Sequence, residues 1–191
     1  MLSIAYLLFI PVIRGISNLD PIHSARVLGQ SVVLIGAIIL IPITKQELEI
    51  SVKEIIYTKA WSYMISIGIR FLCSFLIITV EITTFAIIML CSNCKFPFGE
   101  YISLAILYAT FLGLLGLALS QAGNNIVIGY LSAFGYWTLC QLGIINENSI
   151  GYMFPIVNGT VLIQKLVALL FMVIFLLGMF LILIKYSIRR V

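Results

Sequence analysis

The sequence predicts an all-α, polytopic membrane protein with about six transmembrane helices and one short amphipathic helix on the cytoplasmic side. Three observations carry this expectation: the composition, the spacing of the apolar runs, and the confinement of dense charge to one stretch. Of the 191 residues, 62% are hydrophobic and 9% are charged, against about 25% charged in an ordinary soluble chain. Mean hydropathy is +1.20. A span needs about 20 apolar residues, so this length holds at most about six or seven spans joined by short loops. That leaves no room for a water-exposed catalytic domain, and no GxxxxGK(S/T) phosphate loop occurs. The net charge of +4 comes without a basic run or basic-aromatic interleaving, so no nucleic-acid partner is expected.

Taken in order, Met1–Ile13 are apolar but few for a full crossing, and Pro11 lies near their end. A short or tilted first span is expected over about 1–14. No basic start and no small-residue cleavage site suggest a signal peptide. Residues Arg14 to Ser24, with Gly15, Asn18, Asp20 and Pro21, read as a loop, and a second span follows over about 25–44.

Charge is dense only from Lys45 to Lys59. On a helical wheel Leu48, Val52, Ile55 and Lys59 share one stripe, and Glu47 and Glu54 share another. Glu49 precedes Lys53 by four residues, the favourable orientation for a helical pair. This pattern predicts an amphipathic helix lying at the membrane surface and continued directly into the next span; the alternative is a solvated helix that only connects two spans.

The third span covers about 61–91, followed by a loop with Asn93, Lys95, Pro97, Gly99 and Glu100. The fourth covers about 101–120, and Gln121-Ala-Gly-Asn-Asn125 is a tight polar turn. The fifth covers about 126–142. A longer loop, Asn146 to Thr160, precedes the sixth span at about 161–186, which ends in a basic tail. No internal repeat is visible, so residues 1–191 read as a single transmembrane domain.

Lysine and arginine counts set the orientation. With both termini cytoplasmic, Lys45, Lys53, Lys59, Arg70, Lys185, Arg189 and Arg190 lie inside. Arg14, Arg26, Lys95 and Lys165 then lie outside or near that face. The charged segment is therefore expected in the cytoplasm, in a multi-pass protein of the cell membrane. The isoleucine-rich composition and short loops have a bacterial look.

Few residues could carry chemistry. Arg70 and Glu81 are eleven residues apart, close to three helical turns, which places them on one side of the third span roughly 16 Å apart. Ser74 and Thr84 fall near the same stripe. A polar stripe on an apolar helix faces protein or water, because exposing an acid to lipid costs several kcal/mol. The stripe reads either as the lining of a substrate path or as packing, with Glu81 hydrogen-bonded between helices and Arg70 snorkelling to the interface. Cys91-Ser-Asn-Cys94 is one CxxC without a second pair, a weak metal signal, and leaves a disulfide or two free thiols open. Cys73 and Cys140 read as small core residues. His23 is the sole histidine, so no metal centre, cofactor or Ser-His catalytic pair is expected, and the chain does not read as an enzyme. Gly113 and Gly116, then Gly129, Ser132, Ala133 and Tyr136, recur at helical spacing and should let backbones approach closely.

The motif Pro42-Ile43, Glu47, Glu54-Ile55-Ile56, Thr58-Lys59 and then Arg70 lies between two spans and four more. In this the chain resembles the permease subunit of a type-2 ABC exporter. The resemblance in architecture covers nearly the whole chain, and the specific motif lies within about residues 36–75. It implies that the charged segment is a coupling helix docking on a separate ATP-binding ABC subunit. Glu47, Val52, Glu54, Ile55 and Lys59 would contact or orient that subunit, and ATP and Mg would be bound there. It also implies a dimer with a second permease copy or a paralogue, and a substrate moving along the permease interface past Arg70, Ser74, Glu81 and Thr84. The family usually has a cytoplasmic helix before a full-length first span, and this chain has neither. Asn146 to Thr160 would be a reduced version of the family's external loop.

Export of a peptide, antibiotic-like compound or lipid is the expected function, since a mostly apolar interior offers few groups for an ion or sugar. One alternative is the substrate-binding membrane subunit of an energy-coupling-factor importer, of similar size, against which the charged segment argues. A second is a non-transporting immunity or assembly protein, in which the Arg70–Thr84 stripe is packing alone.

Overall fold

The computed structural model describes residues 2–44, 63–145, 152 and 163–189, and among them every regular element is helical. The predicted amphipathic helix at 45–59, with Glu47, Val52, Glu54, Ile55 and Lys59, lies outside the described residues, as does nearly all of the loop from Asn146 to Thr160.

Helix α1 is Leu2–Arg14. The second segment is composite: α2 (Pro21–Arg26), a π-helical turn (Val27–Val32), α3 (Leu34–Leu40) and a 3-10 turn (Ile41–Thr44). The backbone stays right-handed helical through its junctions at Val27, Val33 and Ile41. It starts earlier than the sequence suggests, because Pro21 fits the first helical position, where a missing N–H costs nothing. Helix α4 is Tyr63–Cys91, α5 is Phe98–Ala122, α6 is Ile126–Gln141 and α7 is Ile163–Arg189.

Four segments are long and apolar enough to cross a membrane: Pro21–Ile43, Ile65–Cys91, Phe98–Ala122 and Leu166–Ile184. They are consistent with a membrane protein. The expectation of six spans is therefore met only in part, since α1 has 13 residues and α6 has 16, short of the usual ~20. Both helices have built-in ends. Gly15, at φ +68°, closes α1 by donating its N–H to the Pro11 carbonyl at 3.0 Å. Asn125 caps the start of α6 by accepting from the Val127 N–H at 2.9 Å, and Gly143, at φ +70°, follows its end.

Helix α5 is the centre of the bundle. It is apolar all round, as a helix buried on all sides must be, and it packs against α3, α4, α6 and α7. Its residues Tyr101, Leu104, Ala105, Tyr108, Ala109, Leu112 and Leu117 are buried in one continuous hydrophobic cluster. Small residues set the closest approaches. A Cβ on Gly36 would overlap the backbone of Ala109, and one on Gly113 would lie 2.5 Å from the Gly36 carbonyl oxygen. One on Gly129 would lie 2.5 Å from the carbonyl oxygen of Gly116. The small residues of the fourth and fifth spans do sit at close approaches, and the partners differ: Gly116 meets Gly129 of α6, whereas Gly113 meets Gly36 of α3. Ala133 is buried, and the Tyr136 ring meets Phe111 edge-on at 5.7 Å.

Two loops share one end of the bundle. Asn18 donates its N–H to the Ser92 carbonyl at 3.0 Å, and Lys95 donates to the Leu19 carbonyl at 3.2 Å. Asn18 and Asn93 take positive φ, which asparagine tolerates better than most residues. The loops after the first and third helical segments therefore lie on the same side, as an alternating up-and-down path requires.

The thiols Cys91 and Cys94 are free: Cys91 is exposed, while Cys94 is buried and donates to the Ile16 carbonyl at 3.1 Å. Cys140 is in the core as expected, but Cys73 is exposed on the outer face of α4. The reason is that α4 buries only a narrow stripe, formed by Ile67, Ile78, Ile82, Phe85, Ala86 and Met89.

Candidate functional site

Glu81 is half-buried beside that inward stripe of α4. Across from it stands α1, whose Ser3, Leu7, Ile10 and Pro11 follow helical spacing and form its inner face. The Ser3 hydroxyl donates to Glu81 Oε1 at 2.8 Å. The second carboxyl oxygen, Oε2, is buried and has no hydrogen-bond partner among the described residues. A buried acceptor left without a donor is uncommon and calls for an explanation.

Next to this pair, α1 and α4 enclose a half-open cavity of about 400 Å³. Ile4, Leu7, Leu8 and Pro11 line it from α1; Val80, Glu81, Thr84, Phe85 and Ile88 line it from α4. Its size lies within the range of small-molecule sites, which are mainly apolar with a few placed polar groups. Here the acid is the principal polar group. Thr84 contributes little polarity, because its hydroxyl donates to the Val80 carbonyl at 2.7 Å within its own helix. Thr79 and Thr83 bond back in the same way, to Phe75 and to Thr79, which satisfies hydroxyls on a helix with an apolar outer face.

The predicted polar stripe therefore divides. Glu81 and Thr84 meet at the cavity. Arg70 and Ser74 are half-buried further back along α4 and do not line it. Thr84 is exposed at the cavity's outer edge. Among the described residues no second acid, histidine or cysteine lines the cavity. Nor do three or more metal-ligating side chains come together among the described residues.

A second polar cluster was not anticipated from the sequence. The π turn brings the Gln30 and Ser31 carbonyls to side-chain donors on either side. Trp137 Nε1 donates to the Gln30 carbonyl at 2.8 Å, and the Tyr6 hydroxyl donates to the Ser31 carbonyl at 2.8 Å. Gln141 Nε2 donates to Gln30 Oε1 at 3.3 Å. A π turn inserts one residue into the helical ladder and disturbs its carbonyl pairing, and such turns are frequent at functional sites. The isolated Gln30 in an apolar run was the available signal, as Ser3 was for the partner of Glu81.

No family model matches this chain, and neither the curated proteins nor the solved structures contain a match to it.

Proposed function

We propose that this chain is the membrane-embedded permease subunit of an ABC exporter, driven by ATP hydrolysed on a separate subunit. Its place is the cell membrane, bacterial by composition, with both termini cytoplasmic. The observation that carries this reading is the position of Glu81. It borders an apolar cavity on α4, the 29-residue helix that follows the charged 45–59 segment in the chain. A helix of that length acts as a rigid element, so a displacement applied near its cytoplasmic start reaches the cavity. The cavity itself is suited to an apolar or amphipathic cargo. A second copy of the chain or a paralogue completes the assembly.

One observation favours the packing alternative: Ser3 occupies one oxygen of Glu81, as it would in a protein that acts by contact alone. The experiment that separates the two is purification of the tagged chain from native membranes, with and without Glu81→Gln. Co-purification of a nucleotide-binding subunit by both forms, with loss of substrate-stimulated ATP hydrolysis in the variant, supports the transport reading. Loss of assembly in the variant supports packing.

A further inference from the structure

The cavity between α1 and α4 has three properties that together describe its ligand. Its walls are hydrocarbon: Ile4, Leu7, Leu8, Pro11, Val80, Phe85 and Ile88. Its volume, about 400 Å³, is well above that of a water or a small ion. Its principal polar group is an acid with one oxygen already engaged by Ser3 and the other buried without a donor among the described residues. An acyl chain alone would fill the walls and leave Oε2 unpaired. A carboxylate-bearing molecule would set like groups against each other in an apolar site. A molecule with an apolar body and a terminal amine satisfies both walls and acid, because the amine brings several N–H donors and a complementary charge.

We infer that the Ser3–Glu81 cavity is a binding site for a lipophilic amine: an aryl or alkyl body seated among the α1 and α4 side chains, with its amino group on the Glu81 carboxyl. The terminal torsion of a glutamate side chain is soft, so a turn of the whole carboxyl brings an oxygen to an arriving donor, and the Ser3 hydroxyl, itself a rotor, follows the other oxygen. The ligand approaches through the open side of the cavity, past exposed Ile4, Leu8 and Val80. This inference rests on the transport reading only for its consequence, that lipophilic amines are the exported class. Binding itself needs no partner subunit.

The test is photo-labelling of the chain reconstituted alone in phosphatidylcholine nanodiscs, without an ATPase. The probe is a dodecylamine carrying a diazirine in its alkyl chain, and its twin is the matching diazirine-bearing dodecanoic acid. Labelled residues are mapped by mass spectrometry. The amine is expected to label the Leu2–Arg14 and Val80–Ile88 segments. Glu81→Gln should weaken that labelling by about tenfold or more, the usual consequence of losing a charge-assisted hydrogen bond. Leu8→Trp, which fills the cavity from the exposed side of α1 without touching the acid, should abolish labelling while the protein elutes as a folded species. Equal labelling by amine and acid, indifferent to Glu81→Gln, would overturn the inference and make the cavity a groove for any acyl chain. Amine labelling that survives Leu8→Trp would overturn it as well. Specific labelling in a protein that captures no ATPase would leave this inference standing and remove the exporter reading.

Discussion

Trp137 on α6 donates its indole N–H to the carbonyl of Gln30 at 2.8 Å, joining two residues 107 positions apart. On the other side of the same turn Tyr6 holds the neighbouring carbonyl, that of Ser31, at 2.8 Å. The π turn is thereby fixed from both flanks, by α1 and by α6. Since α1 is also a wall of the cavity, the turn helps to hold that wall in place.

Trp137→Phe keeps an aromatic ring, though a smaller one, and removes the donor. A loss of about 1 kcal/mol is expected, read as a lower thermal midpoint in detergent. Tyr6→Phe should cost a similar amount. The double variant should depart from additivity, because the two acceptors are adjacent carbonyls of one turn.

Gly36→Ala places a methyl against the Ala109 backbone, which no rotamer change relieves. The expected cost is about 2 kcal/mol or more, with a loss of folded yield. Gly135→Ala, where a Cβ meets nothing within 4 Å, should be tolerated. Equal behaviour of the two variants on size-exclusion chromatography would contradict the close approach of α3 and α5.

Ser3→Ala removes the donor to Glu81 Oε1 and leaves the acid with neither oxygen paired. A loss of about 1–3 kcal/mol is expected. Combining Ser3→Ala with Glu81→Leu removes both members of the pair, and the stability should return close to the original value. Recovery of stability without recovery of amine labelling would separate binding from packing at this position.

Cys91 is exposed at the end of α4, while Cys94 is buried with its thiol on the Ile16 carbonyl. A membrane-impermeant maleimide added to intact cells should modify Cys91, because the proposed orientation places this loop outside, and Cys94 should react far more slowly. Modification of Cys91 only after lysis would reverse the orientation.

The helical segments were legible because their signal is the length of an apolar run, which is independent of what packs on it. Even the turn at Gln121–Asn125 could be read from residue type and spacing, and Gly116 and Gly129 announced close approaches without naming their partners. What could not be read depends on tertiary partners. The exposed position of Cys73 follows from how narrow a stripe α4 buries. The pairing of Gly113 with Gly36 follows from which helix lies on which side of α5. Glu81 was visible as a charge needing a reason, but its partner Ser3 lies 78 positions away, on the same helix α1 that walls the cavity. The π turn carried no periodicity of its own, and only the lone Gln30 marked it.

Crosslinking from the charged segment tests whether this chain docks on an ATPase subunit. Ser51→Cys, in a background with Cys73, Cys91, Cys94 and Cys140 replaced by serine, is treated in native membranes with a short bifunctional maleimide. One major product is expected, joining this chain to a nucleotide-binding ATPase subunit and identified by mass. A crosslink to a membrane scaffold protein instead, or no crosslink from a cysteine shown to react with a small maleimide, would contradict that docking.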